Sequence, residues 1–130
     1  LPVGASFHAA RRLLHGSDFA RVMRGGRRFS DASFSVHLSP SPTDHARLGI
    51  AVGRRVSLKA VRRNTIKRII RDTFRRYASQ LPALDIVFNA RPPAAEKTRA
   101  ELATTISQAL VRIQREGLNA PRRKRNQEPV

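Results

Sequence analysis

The chain contains no cysteine, which excludes a disulfide framework, a thiolate nucleophile and a Cys-ligated zinc site. It is also poor in acids, with nine Asp and Glu against 26 Lys and Arg in 130 residues. A nuclease that holds two metal ions needs several clustered carboxylates. Here the acids, Asp18, Asp31, Asp44, Asp72, Asp85, Glu96 and Glu101 among them, form no close pair in sequence. The four histidines, His8, His15, His37 and His45, have no metal-ligand spacing. A Gly-rich phosphate loop and a Ser-His-Asp arrangement are missing as well, so no catalytic residue and no metal ligand is assigned. There is no internal repeat, no apolar run of membrane-spanning length and no signal-peptide pattern, so a soluble, cytoplasmic protein is expected.

What is present suits one small folded domain. The composition is 40% hydrophobic and includes six Phe, which argues against wholesale disorder. A single α+β domain is expected over residues 1–117, followed by a disordered basic tail over 118–130. The net charge of +17 calls for a polyanionic partner.

Residues 1–16 read as an irregular basic lead-in. Ser17 can then cap a short helix reaching Arg24, with Asp18 in its first turn and Gly25-Gly26 ending it. Phe19, Val22 and Met23 share one face of that helix. "SFSVHLS" alternates, placing Phe34, Val36 and Leu38 on one side and Ser35 and His37 on the other, and "SPSPTD" makes a turn. "RLGIAVG" is expected to supply the second half of a hairpin. The next element is a helix from about Lys59 to Tyr77, with Ile66, Ile69, Ile70, Thr73, Phe74 and Tyr77 in one arc and Asn64, Lys67, Arg68, Arg71 and Arg75 roughly opposite. "DIVFNA" reads as a buried strand. A second amphipathic helix is expected from about Ala94 to Arg115, with Leu102, Ile106, Ala109, Leu110 and Ile113 toward the core.

The basic helix is the unusual element. From Arg54 to Arg76 there are ten basic residues and one acid, Asp72, so this window carries +9 of the net charge. A face that served only solubility would mix signs, because opposite pairs at i,i+4 add about 0.2–0.5 kcal/mol each and like pairs subtract as much. Bound phosphates relieve the repulsion, and counterion release supplies affinity without base contacts. A merely solvated face on a basic protein is the alternative.

The stretch "VRRNTIKRIIRDTFR", preceded by "RLGIAVGRR" and by "SDFARVM", resembles the bacterial ribonuclease P protein subunit. Arg63 and Asn64 match the first two positions of that family's Arg-Asn-Arg motif, and Ile66, Lys67, Arg68 and Arg71 match the family's Ile-Lys-Arg and further Arg beyond it. Thr65 departs from the pattern where the second Arg would stand. The resemblance implies an α+β sandwich with a roughly four-stranded sheet, an N-terminal helix, a basic crossover helix joining two parallel strands with left-handed connectivity, and a C-terminal helix. It implies that an RNA subunit carries the active site and its magnesium, the protein binding no cofactor itself, and that the complex removes the 5′ leader of precursor tRNA. Contact with the RNA subunit would fall to Arg54, Arg55, Lys59, Arg62, Arg63, Asn64, Lys67, Arg68, Arg71 and Arg75. Leader contact would fall to Phe19, Met23, Phe34, Val36 and His37, with an ordinary core role as the alternative for Phe19 and Phe34. No membrane or DNA partner is implied: Asn64 is the sole base-reading residue type on the helix. A non-catalytic RNA-binding protein of ribosomal or RNA-chaperone type is the competing reading.

Overall fold

In the computed structural model, which describes residues 16–119, apolar residues at helical and alternating spacing produce α1 (Gly16–Gly25), β1 (Arg27–Ser30), β2 (Phe34–Pro40), β3 (Arg47–Ala51), α2 (Ala60–Tyr77), β4 (Leu84–Ala90) and α3 (Arg99–Glu116). Of the lead-in expected over 1–16 and the tail expected over 118–130, residues 1–15 and 120–130 lie outside the described residues. A 3-10 turn, Gly117–Asn119, carries the chain past the boundary expected at 117, and Leu118 packs against the core.

The strand order is β1-β2-β4-β3, with β1 and β4 antiparallel to β2 and with β3 parallel to β4. This corrects the expected hairpin, because β2 and β3 do not pair and β4 lies between them. "LDIVFNA" takes the central place because it is apolar in both phases: Ile86 and Phe88 face one side of the sheet and Val87 the other, all fully buried. β1 has no counterpart among the strands read from the sequence. Its four residues, "RRFS", hold a single apolar side chain and give little alternating signal. A tight turn closes it on β2, the Asp31 carboxylate accepting from the backbone N–H groups of Ser33 and Phe34, both at 2.8 Å.

One sheet face carries Phe34, Val36, Leu38, Leu48, Ile86 and Phe88, which form a single core with Ile66, Ile70 and Phe74 of α2 and Leu102, Ile106, Leu110 and Ile113 of α3. The rings of Phe34 and Phe88 meet edge to face at 5.8 Å. α3 begins at Arg99, five residues later than expected. Thr98 and Glu101 form a reciprocal capping box there, and the preceding Pro92–Glu96 winds as a 3-10 turn.

α1 lies on the opposite face of the sheet, where Val22 is fully buried yet stands apart from the main core. The turn that delivers it is tight. A Cβ at Gly26 would fall 1.8 Å from the Leu38 carbonyl oxygen, backbone that cannot step aside. Gly26→Ala is therefore expected to destabilise the fold by about 1–3 kcal/mol, lowering the thermal midpoint by several degrees, whereas Gly25→Ala, with open space around it, should leave the midpoint nearly unchanged.

Candidate nucleic-acid interfaces

The candidate residues fall on two surfaces, one on α2 and one between α1 and the sheet. α2 has no acid in its first turn and no side-chain cap at Lys59, so its positive end is uncompensated. Arg63 folds back instead, its Nη1 donating to the carbonyls of Ser57 and Leu58 at 3.0 and 3.1 Å. Arg62 reaches the other way, Nη2 donating to the carbonyls of Ala95 at 3.1 Å and Lys97 at 2.6 Å, which ties α2 to the segment leading into α3. The Thr65 hydroxyl donates to the Val61 carbonyl and so turns onto its own helix. Arg75 pairs with Asp72 at 3.4 Å. Lys67, Arg68 and Arg71 make no hydrogen bond or ion pair with any described residue, and Arg54, Arg55, Lys59, Asn64 and Arg68 are exposed. The helix that the sequence marks as one basic face is thus divided into cations that brace the fold and a row that does not.

On the second surface, strand register sets Arg28, His37, Val87 and Gly49 in one row across the sheet and Ser30, Ser35, Asn89 and Ala51 in the next. α1 crosses near the end occupied by Ser39, Asp85 and Arg47. Phe19 and Met23 are half-buried there, beside the buried Val22. His37 is 6% exposed, with Nε2 3.0 Å from the Ser35 hydroxyl, and burial together with the neighbouring Arg28 charge lowers its pKa. It is therefore a neutral group at pH 7. Phe34 and Val36 require correction: at 1% and 2% exposed they point into the main core on the other side of the sheet, so neither can stack on an RNA base. The strand that turns His37 toward the α1 side of the sheet, where it too is nearly covered, necessarily turns its alternate residues to the other side.

Sequence reasoning missed a cluster that holds α1 in place. The carboxylate of Asp85, with no exposed surface, accepts from Arg47 Nε at 2.8 Å and Nη2 at 2.9 Å and from Arg21 Nη2 at 2.5 Å. Asp18 lies 3.5 Å from both guanidiniums, and Arg21 also donates to Ser39 Oγ at 3.1 Å. Burial pushes the Asp85 carboxyl up, but the hydrogen bonds from Arg47 and Arg21 outweigh it and hold the group below the usual aspartate range. The available signal was a lone acid heading an apolar strand, since a buried charge requires partners. Among the described residues, no three His, Cys, Asp or Glu side chains are grouped to hold a metal ion, and no helix is long and apolar enough to cross a membrane.

Residues 7–114 match the family model described as Ribonuclease P. The chain is 37% identical over 109 residues to the ribonuclease P protein component of Chromobacterium violaceum, covering 84% of this chain and 90% of that one. It also superposes on the ribonuclease P protein of Staphylococcus aureus with a TM-score of 0.74 at 33% identity, over 79% of this chain and 94% of the other. With the protein from Thermotoga maritima the TM-score is 0.70 at 32% identity, over 78% and 96%.

A carboxyl whose folded pKa is depressed stabilises the fold above its unfolded pKa, and that stability is lost as pH falls through the folded value. The contribution of Asp85 should therefore be complete above about pH 5 and decline below the ordinary aspartate value of 3.8. Asp85→Asn, which removes the buried anion and leaves the two guanidiniums only the more distant Asp18, is expected to cost about 3 kcal/mol at pH 7, with the gap to the unmodified protein narrowing below about pH 4 in thermal unfolding followed by circular dichroism.

Proposed function

The chain belongs to the ribonuclease P protein family, whose members are the protein subunit of an RNA-based endoribonuclease, and we propose a division of its surface between two RNAs. Its partner is the ribonuclease P RNA. The outer face of α2, with Lys67, Arg68 and Arg71 as its centre, binds that RNA through phosphates. The cleft between α1 and the second sheet face holds the single-stranded 5′ leader of precursor tRNA, with Phe19 as a stacking platform and Met23 and His37 beside it. Chemistry and the magnesium ions it uses reside in the RNA subunit, and the complex acts in the cytoplasm. The protein's contribution is binding, positioning and the screening of phosphate repulsion that its net charge of +17 provides.

The observation that supports this reading best is the row of Lys67, Arg68 and Arg71, which lacks any partner among the described residues while neighbouring arginines are bound to the protein itself. Arg62 and Arg63 have a smaller part in phosphate binding than their place in the motif suggests, because each is committed to two backbone carbonyls. A ribosomal or chaperone role gives no account of the family match across residues 7–114.

Reconstitution with a bacterial ribonuclease P RNA tests both surfaces. Replacing Lys67, Arg68 and Arg71 together by Ala should weaken binding to that RNA and flatten the plot of log K against log salt by about 0.7–0.9 for each phosphate no longer neutralised, without loss of folding. An unchanged slope would mean that the row is only solvated. Phe19→Ala should weaken holoenzyme binding to precursor tRNA by roughly tenfold, the effect of removing one stacked base, and leave mature tRNA binding unchanged. An equal penalty with both substrates would assign Phe19 to packing alone.

A further inference from the structure

Three large hydrophobic side chains are exposed among the described residues, and two of them adjoin: Leu58, 81% exposed, in the segment entering α2, and Val61, 77% exposed, in the first turn of α2. Single exposed aliphatics are ordinary, and Val111, the third, needs no explanation. Leu58 and Val61 differ because they sit within the most cationic part of the chain, bordered by the exposed Arg54, Arg55 and Lys59.

Nor is their exposure a product of slack backbone. Val56, two residues before Leu58, is buried in the core and its N–H donates to the Gly53 carbonyl at 3.0 Å. The Lys59 N–H donates to the Ser57 hydroxyl at 3.1 Å, and the Arg63 guanidinium spans the carbonyls of Ser57 and Leu58. With Val56 already filling the inward position, this bracing holds Leu58 out. An apolar pair maintained in water beside so many cations suits a partner that is anionic at its edge and apolar on its face. An unstacked nucleobase flanked by its own phosphates is such a partner. A second copy of this chain is not, since its corresponding window also carries net +9.

We infer that Leu58 and Val61 form an apolar contact with an unstacked base of the ribonuclease P RNA, and that Arg63 is the positioning residue that holds this contact in place. The inference rests on the reading that α2 faces the RNA subunit, and it adds a contact there that is independent of charge. It also gives the first arginine of the motif a role other than phosphate binding.

The test is binding of the full chain to ribonuclease P RNA across a salt series, with the Lys67/Arg68/Arg71→Ala variant measured in parallel. Leu58→Ala/Val61→Ala removes exposed apolar groups only, so thermal stability should be unchanged. Affinity should fall by about tenfold, the scale set by the methyl and methylene groups removed, while the salt slope stays the same. Arg63→Ala should also weaken binding, but should cost far less when made in the Leu58→Ala/Val61→Ala background, because the apolar pair it positions is already gone. Unchanged affinity of the double variant would overturn the inference, as would a slope reduced along with affinity. If Arg63→Ala is instead additive and lowers the slope by about 0.7–0.9, Arg63 is a phosphate contact and its positioning role is overturned. If the double variant keeps RNA affinity but no longer self-associates in sedimentation, or no longer binds vesicles containing anionic lipid, the patch serves another partner and the inference fails. Should the lysine and arginine triple variant also bind normally, the α2 reading itself fails; if only that variant is impaired, α2 faces the RNA and the apolar contact alone is refuted.

Discussion

The carboxylate of Asp85, fully buried at the head of the central strand, is the group on which the arrangement of the second sheet face depends. A carboxylate without solvent must be matched by opposite charge and satisfied lone pairs, and here Arg47 from β3 and Arg21 from α1 converge on it. α1 offers few alternatives for anchoring itself. It is ten residues long and Val22 is its only fully buried side chain, so apolar burial alone would leave its position on the sheet loosely defined. With Asp18 included, the cluster holds two cations and two anions and adds no net charge. It orients α1 and sets Phe19 and Met23, both half-buried, beside the sheet.

The same shortage of acids shapes the rest of the molecule. With nine acids for 26 basic side chains, most guanidiniums cannot find a carboxylate. Several take backbone carbonyls as acceptors. Arg62 joins α2 to the approach to α3, Arg63 braces the entry to α2, and Arg91 donates to the Asp31 carbonyl at the turn between β1 and β2. Arg112 uses a ring, its guanidinium lying 4.2 Å from the centroid of Phe29, and also pairs with Glu116. These arginines are indistinguishable in composition from Arg68 and Arg71, yet they serve folding. The distinction between a bracing cation and one available to RNA is set by whether a carbonyl, carboxylate or ring falls within reach.

The two candidate RNA surfaces lie on opposite sides of the sheet. One side of the sheet is sealed by α2 and α3 around Phe34, Phe74 and Phe88, so the outer face of α2 rests on a rigid core. The other side is covered only in part, by α1, and keeps polar groups such as Ser35 and Asn89 half-exposed in the row next to His37 and Val87. A single layer of strands thereby carries the basic helix α2 on one side and α1, with its half-buried Phe19 and Met23, on the other.

How much of this was legible in the sequence depended on how local the signal was. The apolar arcs of α2 and α3 were readable because helical periodicity is a local property, and Ile66, Ile70, Phe74, Leu102, Ile106, Leu110 and Ile113 are all buried as that periodicity required. The concentration of charge between Arg54 and Arg76, and with it a polyanionic partner, was determined by sequence alone. Tertiary structure decided what periodicity cannot express. Alternation showed that Phe34 and His37 face opposite ways, but which side would be closed by helices and which left open was decided only by where α1, α2 and α3 packed. Strand neighbours were equally out of reach, because pairing β2 with β4 rather than with β3 is a long-range choice made by the apolar character of both faces of β4. The meeting of Asp18, Arg21, Arg47 and Asp85 belongs to the same class. These residues lie on three separate elements, and only the folded chain, by removing Asp85 from water, gave the two arginines their partner.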